Sequence, residues 1–406
     1  MTDPTAPTEA AGRVRPIGFR NVITILLLGT TGQIAWILEV LDGGHVVSSV
    51  AIESVEGELV LPVRQAKRWS PASPFLYDLR VRLGDDKSPV DEVQSYFGMR
   101  EVELRLGQGD GSGVPRIFLN GEPLFQLGVL DQGYWPDGLY TAPTDDALRF
   151  DIEAARSMGF NMVRKHAKVE PDRWYYHCDR LGMLVWQDMP SLLSLKNYAI
   201  EILHERVKKE YRIRKELRDP SGSVDYRQVF LDELDAMVGM LGNHPSVVAW
   251  VLFNEGWGEE CFDVRDVVNR VKRLDPTRLV DGASGFYDKG AGDVRDVHTY
   301  PDPSLPEADP ARAAVVGEFG GIGLKIPGHA WNKWFGFGWR MARSKEALEA
   351  RYKGFMEKIE VLKQKGLVAS VYTQLTDVET EVNGLLTYDR AVSKIDPHVL
   401  ARMHRP

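Results

Sequence analysis

The sequence predicts an α/β fold in which a (β/α)8 TIM barrel follows a small β-sandwich. Residues 22–103 contain short alternating runs, such as QIAWILEVLD and FLYDLRVRL, separated by Gly, Asp, Ser and Pro. This pattern is typical of antiparallel strands. From residue 104 onward, apolar runs alternate with amphipathic segments, as in parallel βα units. At 406 residues, the chain has room for one large and one small domain.

The predicted domain organisation has three parts. Residues 1–21 are rich in Pro, Thr, Ala and Gly, so we expect a flexible arm. Residues 22–103 are expected to form the sandwich, and residues 104–406 the barrel. Near the start of the third part, RIFLNGEPLFQ predicts a hairpin, because Asn120-Gly121 favours a two-residue turn with positive φ.

Eight apolar runs supply the strands of the predicted barrel. In chain order they are FQLGVLDQ, NMVRKH, MLVWQDMP, VVAWVLFNE, RLVDGAS, DVHTY, AVVGEFGG and ASVYTQLTD. Amphipathic segments lie between most of them, and several begin with an Asp, Ser or Thr cap and end at Gly. A doubly wound sheet is the alternative. No Gly-rich phosphate loop follows any of these strands, which favours the barrel.

Composition and charge argue against several functional classes. The 58 acidic residues outnumber the 50 basic ones, and the net charge of −8 offers no general surface for nucleic acid. The apolar run VITILLL at 22–28 is far shorter than the ~20 residues of a membrane span. No small-residue cleavage site follows it, so we expect neither a membrane anchor nor a secretory signal. The two cysteines, Cys178 and Cys261, cannot form a disulfide framework, so we expect a reducing, cytoplasmic setting.

A basic segment at residues 206–218, RVKKEYRIRKELR, contains seven Lys or Arg residues. One interpretation is a patch that binds a polyanion. The other, which we favour, is a solvated helix on which Glu205, Glu210 and Glu216 pair with the neighbouring cations.

Two of the predicted barrel strands end in a glutamate. VVAWVLFNE ends the fourth strand with Glu255, and VVGEFGG ends the seventh with Glu318. Residues that end the strands of such a barrel face its mouth, where ligand sites are built. Strands four and seven lie three apart in a ring of eight, so both glutamates can lean over the central axis. A protonated and an ionised carboxyl group that face each other suit glycoside hydrolysis, whereas the structural alternative for each glutamate is an ion pair.

Several separated motifs resemble glycoside hydrolase family 2, which includes β-galactosidases, β-glucuronidases and β-mannosidases. The motifs are WSPASPFLYDLRVRL, YFGMREVEL, GFNMVRKHAKVEPDRWYYHCDRLGMLVWQDMP, FNEGWG, DVHTYPDP, GEFGG and TDVETEVNGLLTYDR. The resemblance covers about residues 22–406. It implies that the sandwich before the barrel is an immunoglobulin-like β-sandwich. It also implies a retaining mechanism with a covalent glycosyl-enzyme, in which Glu255 is the general acid/base and Glu318 the nucleophile. Members usually begin with a jelly-roll sugar-binding domain, and the sequence predicts a member that lacks it.

Other strand-end residues are predicted to contact the substrate or to hold the two glutamates. We expect Asn254 to bond the sugar 2-hydroxyl, and Tyr300 and Arg164 to hold Glu318. The remaining candidates, as hydroxyl-binding groups, aromatic platforms or braces for the arginine, are His166, His298, Asp131, Trp135, Trp257, Asp188 and Gln374. Each also has a structural interpretation, such as a core aromatic residue or a salt bridge at the rim. No His-x-His or His-Glu-x-x-His spacing supports a metal, and we expect no cofactor.

The predicted function is that of a retaining exo-β-glycosidase acting on a terminal non-reducing β-linked sugar, with galactose first. A uronide is the alternative sugar, because Lys165 lies beside Arg164. Alternation along the strand predicts, however, that Lys165 points toward the surrounding helices. The family's glucuronidases also use an Asn-x-Lys motif beyond the nucleophile, and no Asn precedes Lys325 in that way.

A catalytically weak barrel that only binds carbohydrate is the alternative from another functional class. Glu255 and Glu318 are both present, which favours an enzyme. The expected partner is a carbohydrate substrate, without nucleic acid or membrane, and a homo-oligomer is compatible with the sequence.

Overall fold

The computed structural model describes residues 36–52, 61–84, 89–106, 113–190 and 225–405. The predicted arm at 1–21 and the basic segment at 206–218 lie outside the described residues. The chain divides into two compact units, with the boundary between Arg100 and Glu101, and residues 242–245 group with the first unit. The domain limits predicted from the sequence, with a boundary at 103/104, stay a prediction.

The first unit contains a four-stranded antiparallel sheet with the order β2-β1-β3-β4. Its strands are β1 (Trp36–Asp42), β2 (His45–Ile52), β3 (Tyr77–Gly84) and β4 (Pro89–Phe97). Every second residue of β3, from Tyr77 to Leu83, is buried, as the two-residue period of a strand with one covered face requires. These side chains pack against Trp36, Leu38 and Val40 of β1. This sheet is the described part of the predicted sandwich.

A small antiparallel sheet opens the second unit. It consists of β5 (Val102–Leu106), β6 (Pro115–Leu119) and β7 (Glu122–Pro123). Asn120 and Gly121 connect β6 to β7 with φ values of 55° and 88°. The two-residue turn predicted from the sequence is therefore present, and both of its residues adopt the left-handed backbone that this turn needs.

Eight parallel strands form the barrel, and they are the eight runs that the sequence indicated. They are β8 (Gln126–Asp131), β9 (Met162–Lys165), β10 (Leu184–Asp188), β11 (Val247–Val251), β12 (Leu279–Asp281), β13 (Val294–Thr299), β14 (Ala313–Gly320) and β17 (Leu367–Thr373). The hydrogen-bonded order is β12-β11-β10-β9-β8-β17-β14-β13, so the first strand pairs with the last. Strands β12 and β13 contact each other and bring the two edges together. The predicted (β/α)8 class is confirmed.

Two short strands and six α-helices complete the described elements, together with a 3-10 turn at Glu259–Cys261. The strands are β15 (Ile322–Gly323) and β16 (Arg340–Met341). The helices are α1 (Asp145–Ser157), α2 (Asp172–Leu181), α3 (Tyr226–Leu241), α4 (Val264–Leu274), α5 (Lys345–Gln364) and α6 (Pro397–Met403). Thr144 and Ser344 cap α1 and α5, because their hydroxyls accept from backbone N–H groups three residues later.

Two connections differ from the expectation that nearly every strand is followed by a helix. The segments from β12 to β13 and from β13 to β14 contain no helix. The first, residues 282–293, contains four glycines, and the second, residues 300–312, contains four prolines. Both residue types disfavour helix interiors, through backbone entropy in one case and the missing N–H in the other.

The helices cover the barrel through apolar faces with helical spacing. On α4, the side chains of Val264, Val267, Val268 and Val271 are all buried, which is the i, i+3, i+4, i+7 pattern of a helix packed on a sheet. Cys178 and Cys261 are both free thiols in buried positions. Within the described ranges, no helix is long and apolar enough to cross a membrane.

Candidate active site

Glu255 and Glu318 face each other at the carboxyl ends of β11 and β14. A carboxylate oxygen of one lies within 4.8 Å of a carboxylate oxygen of the other. Glu318 is 7% exposed at its side chain, whereas Glu255 keeps 25% exposed toward the mouth. The structure therefore brings together the two glutamates that the sequence predicted at the ends of strands four and seven. Glu318 is more deeply buried than Glu255.

Glu255 lies in a strained turn just beyond β11. Its φ is +50°, in the left-handed region that non-glycine residues rarely adopt, and its N–H donates to the Ser284 carbonyl across 2.9 Å. Gly256 follows with φ of +77°, and a Cβ there would lie 2.4 Å from the Tyr287 ring. Such a left-handed residue costs about 1–3 kcal/mol and recurs at functional sites. This backbone conformation directs the Glu255 carboxyl out of the core and into the mouth.

A bulge in β14 aims Glu318. Val297 of β13 is opposite Val316, but the next residue, His298, is opposite Glu318, so Gly317 is the extra residue. Gly317 donates its N–H to Asp296 Oδ1 across 2.5 Å. A Cβ at position 317 would lie 2.0 Å from Asp296 Oδ2, so only glycine fits. Bulges of this kind redirect the next side chain, and here that side chain is Glu318.

Arg164, at the end of β9, is buried beneath both glutamates. Its guanidinium makes a bidentate pair with Asp188, at 3.0 Å for both bonds, and donates to Glu318 Oε1 at 3.3 Å. It also donates to Asn254 Oδ1 at 2.7 Å and to Ser284 Oγ at 2.9 Å. Burial disfavours its charge, but Asp188 and Glu318 outweigh this and raise the pKa of Arg164. Arg164 therefore remains positively charged in the buried part of the site.

Tyr300 contacts the other oxygen of Glu318. Its hydroxyl donates to Glu318 Oε2 and lies 2.8 Å from the Thr373 hydroxyl. Burial, followed by the charge of Glu318, raises the pKa of Tyr300 well above its ordinary value, so the phenol keeps its proton. On the side of the mouth, the Tyr300 ring stacks on Trp339, with centroids 4.4 Å apart and planes 14° apart. Glu318 is thus held at one oxygen by Arg164 and at the other by Tyr300.

His298 links the cation to the acidic pair, and its tautomer follows from its partners. Burial lowers its pKa to about 4, so the ring is neutral near pH 7. Arg164 can only donate, so the His298 Nε2 atom, 3.2 Å from Nη1, accepts. The Nδ1–H then donates to Glu255 Oε1, 2.9 Å away. Glu255, His298 and Glu318 also have the spacing of a possible metal site, but this tautomer points a proton, not a lone pair, at the carboxylates.

His166 lies close to Glu318, and Trp257 packs against His166. The Nε2 atom of His166 lies 3.9 Å from Glu318 Oε1, and burial lowers its pKa to about 4. Its ring meets Trp257 edge to face, with centroids 5.9 Å apart. Of the two predicted contact residues, His166 therefore lies beside Glu318, and Trp257 is in contact with His166.

The pKa of Glu255 is raised, and burial is the main cause. The charges of His166 and Arg164 act in the opposite direction. Removing water from around Glu255 disfavours its carboxylate form and favours its acid form.

The structure places Asp131 and Trp135 differently from the expectation. Asp131 accepts from Lys165 Nζ at 2.7 Å and from the Gly133 N–H, rather than from Arg164. Trp135 is 5% exposed, and the Arg390 guanidinium lies 3.9 Å over its ring. Neighbouring side chains thus occupy the surfaces that we expected to meet a sugar. Asp131 and Trp135 act here as partners of buried cations.

Gln374 and several residues that sequence reasoning missed lie around the strand ends. Gln374 is buried, and its amide bonds Gln132, Glu381 and Asn383. The missed residues are Ser284, Thr373, Trp339 and Glu381. Two of them lie in recognisable sequence patterns. Trp339 ends the aromatic run WNKWFGFGW, and Glu381 lies within TDVETEVNG, part of a motif that resembles the family. The other two are small hydroxyl residues with no distinguishing pattern.

Comparison with known proteins identifies the family of the chain. The family model described as "Glycosyl hydrolases family 2, TIM barrel domain" matches residues 116–301, and "Glycosyl hydrolases family 2" matches residues 34–100. The chain is 28% identical over 238 residues to a putative β-glucuronidase of Formosa agariphila. The aligned residues make up 58% of this chain and 20% of that protein. The chain is also 28% identical over 246 residues to a β-galactosidase of Psychromonas ingrahamii, covering 60% and 21%.

The fold matches a solved structure over most of the chain. An FMN-binding β-glucuronidase from Facaelibacterium prausnitzii L2-6 superposes with a TM-score of 0.71 at 20% identity, covering 93% of this chain and 58% of that one. The chain spans about a fifth of the length of the curated relatives named above. On the two matched family models and the confirmed barrel, the chain belongs to glycoside hydrolase family 2.

Proposed function

We propose that the chain is a retaining exo-β-glycosidase that hydrolyses a terminal, non-reducing β-linked sugar, with galactose as the first choice. The observation that supports this most is the Glu255–Glu318 pair, whose carboxylate oxygens approach within 4.8 Å. Retaining enzymes hold their carboxyl groups ~5–5.5 Å apart. Inverting enzymes need ~6.5–9.5 Å, to leave room for a water between them.

In the first step, Glu318 attacks the anomeric carbon and the glycosidic C–O bond breaks. Arg164 donates to one oxygen of Glu318 and Tyr300 to the other, which holds the carboxylate in place for this attack. Glu255, whose raised pKa favours the acid form, gives its proton to the departing oxygen. The product is a glycosyl ester of Glu318 and a free alcohol.

In the second step, Glu255 acts as the base. As a carboxylate, it takes a proton from a water, whose oxygen attacks the anomeric carbon and releases Glu318. Two inversions give net retention, and Glu255 is protonated again for the next cycle. The proposed chemistry uses only side chains of this chain and needs no cofactor.

Asn254 is suited to bind the sugar 2-hydroxyl. Its carbonyl oxygen already accepts from Arg164 and from Ser284, which leaves its amide N–H groups as donors. A donor at the 2-hydroxyl contributes most when the oxocarbenium-like transition state forms. His166, Trp257 and Trp339 are proposed to complete the contacts around the ring.

The contacts of Lys165 favour a neutral sugar over a uronide as the substrate. Its ammonium lies 2.7 Å from Asp131 and 3.0 Å from Glu170, and 4.3 Å from the centroid of the Trp174 ring on α2. Lys165 is 1% exposed, so its charge is neutralised inside the protein and is not presented to a ligand. Relatives with both kinds of name match this chain, and Lys165 does not supply the cation that a uronate would need.

The test is a panel of aryl β-glycosides followed by proton NMR of the first-formed sugar. We expect turnover of the β-galactoside with the β-anomer appearing first. An initial α-anomer would rule out the retaining mechanism. Binding of methyl β-galactoside without turnover of any panel member would favour the carbohydrate-binding barrel instead.

A further inference from the structure

Two exposed aromatic residues in the connection from β12 to β13 border the proposed acid, Glu255. The Phe286 ring meets the ring of His298 at an angle of 63°, with centroids 5.9 Å apart, and His298 is the residue that donates to Glu255. Tyr287 covers Gly256, which directly follows Glu255 in the chain, since a Cβ at Gly256 would lie 2.4 Å from the Tyr287 ring. Phe286 is 46% exposed and Tyr287 is 59% exposed. The mechanism proposed above assigns neither ring a role.

Charged residues anchor this aromatic segment. Asp288, the next residue, accepts two hydrogen bonds from the Arg312 guanidinium, both at 2.7 Å, and a third from the Gly290 N–H at 2.9 Å. Lys289 pairs with Glu259 at 3.2 Å. An exposed ring on an anchored backbone loses little conformational freedom when a ligand binds, so the two rings form a preorganised apolar surface. Because Asp288 and Lys289 are engaged in these pairs, the segment offers a ligand mainly its two rings.

The position of the two rings beside Glu255 determines which part of a substrate they can meet. A general acid must lie within hydrogen-bonding reach, ~2.6–3.2 Å, of the oxygen that it protonates. The leaving group therefore begins at Glu255, whereas the sugar lies over the nucleophile, Glu318. The aromatic pair on the nucleophile side is a different one, Tyr300 stacked on Trp339. The two rings beside Glu255 thus border the leaving group rather than the sugar.

The polar groups beneath the rings are already engaged. Of the two His298 ring nitrogens, one faces Arg164 and the other donates to Glu255. The Ser284 hydroxyl accepts from Arg164. A second sugar in the leaving-group position would need partners for its hydroxyls, whereas a flat aromatic group gains from contact with the rings alone. The surroundings of Glu255 therefore favour an aromatic leaving group.

We propose that Phe286 and Tyr287 form a leaving-group subsite that favours a planar aromatic alcohol, such as a phenol, over an aliphatic alcohol or a second sugar. This inference rests on the proposed glycosidase function and names the class of leaving group that the same site accepts. Edge-to-face and offset contacts between aromatic rings contribute enough to change kcat/KM by up to about tenfold, beyond the contribution of the buried area.

Three β-galactosides with different leaving groups isolate the subsite: phenyl β-galactoside, trifluoroethyl β-galactoside and lactose. Phe286→Ala should lower kcat/KM for the phenyl galactoside by about tenfold and for the other two by less than about twofold. Each variant is compared with wild type on the same substrate, so the differing acidity of the leaving groups cancels. Phe286→Leu keeps apolar bulk without a flat ring, and Tyr287→Leu does the same at the second ring. Both should show a smaller loss that is confined to the phenyl galactoside.

A trapped intermediate separates the subsite from the catalytic groups. 2-Deoxy-2-fluorogalactosyl fluoride should leave a stable fluorogalactosyl ester on Glu318, from which the leaving group has gone. Recovery of the enzyme in water should have the same rate in wild type and in Phe286→Ala. Benzyl alcohol should accelerate recovery in wild type, because its oxygen attacks the anomeric carbon, gives its proton to Glu255 and releases Glu318 as a benzyl glycoside forms. In Phe286→Ala, this acceleration should fall roughly tenfold.

Phe150→Ala is the matched control. It removes a similarly exposed phenyl ring from α1, so all of these values should stay unchanged. An equal loss of kcat/KM on the three galactosides in Phe286→Ala, with slower recovery in water, would overturn the proposal and indicate that the ring only positions His298. A loss on lactose as large as that on the phenyl galactoside would assign the subsite to a sugar instead. No loss on any substrate would remove the ring from the site.

A failure of the proposed function gives a different result. If wild-type protein hydrolyses none of the three galactosides, dissociation constants of phenyl and methyl β-galactoside, measured by NMR titration, replace kcat/KM. Tighter binding of the phenyl galactoside, lost in Phe286→Ala and kept in Phe150→Ala, would support the inference. Equal binding of the two galactosides by wild type would overturn it.

Discussion

His298 donates its Nδ1–H to Glu255 across 2.9 Å, and the same nitrogen lies 3.6 Å from Glu318. Because Arg164 fixes the tautomer, this hydrogen bond occupies Oε1 of Glu255 and leaves Oε2 to carry an acid proton. One neutral imidazole therefore orients the acid relative to the nucleophile. The division of roles between the two glutamates leads to the predictions that follow.

The pH dependence of kcat/KM should report Glu255. The acid must be protonated in the free enzyme, so kcat/KM falls as pH rises through the pKa of Glu255. Burial raises that pKa, which moves the fall above the ordinary range of a glutamate. The limb should appear for the wild-type protein with a phenyl glycoside, whose leaving group needs the proton, and it should be absent from the residual activity of Glu255→Gln on the same substrate. A limb that persists unchanged in the variant would assign the titration to another group.

Tyr300→Phe should reduce kcat by about 10²-fold. The variant keeps the ring that stacks on Trp339 but loses the hydroxyl that donates to Glu318. Loss of one preorganised donor to a charged catalytic group has this order of effect. Tyr176→Phe on α2 is the control, because it likewise removes one phenol hydroxyl, which accepts a hydrogen bond from Arg180 of the same helix. Steady-state kinetics of both variants test this, and equal activities would remove Tyr300 from the site.

Gly317→Ala should destabilise the fold by about 2 kcal/mol, because the new Cβ meets the Asp296 carboxylate at 2.0 Å. Gly239→Ala is the matched control. Gly239 lies within α3, and its added Cβ meets nothing within 4 Å, so this change should stabilise by about 0.5–1 kcal/mol. Urea unfolding of both variants measures the difference. A Gly317→Ala protein as stable as wild type would show that the bulge can relax.

Much of the barrel was predictable because its strands are short, buried and apolar, and each ends in polar residues. Val247–Val251 is buried at every position, which explains why its run reads without alternation. The same logic located Glu255 and Glu318, since the carboxyl ends of parallel strands converge at one mouth. These features follow from local sequence patterns and from the closed ring of eight strands. A single sequence is enough to predict both.

The remaining contacts depend on details that sequence periodicity does not encode. Asp131 and Asp188 both end strands, yet one pairs with Lys165 and the other with Arg164, and the strand pattern does not show which aspartate meets which cation. Trp339 reaches Tyr300 from an irregular segment without a period. The sequence therefore indicated the acidic pair but not the groups that tune it.

The most direct test of the central claim is azide rescue of the two glutamate variants on a dinitrophenyl β-galactoside. Both Glu255→Gln and Glu318→Gln should lose several orders of magnitude in turnover. In Glu255→Gln, the activated leaving group needs no proton, so the glycosyl-enzyme forms and azide should restore turnover, giving the β-glycosyl azide. In Glu318→Gln, no glycosyl-enzyme forms, so azide should give no β-product. Rescue of Glu318→Gln with retained configuration, without rescue of Glu255→Gln, would contradict the assigned roles.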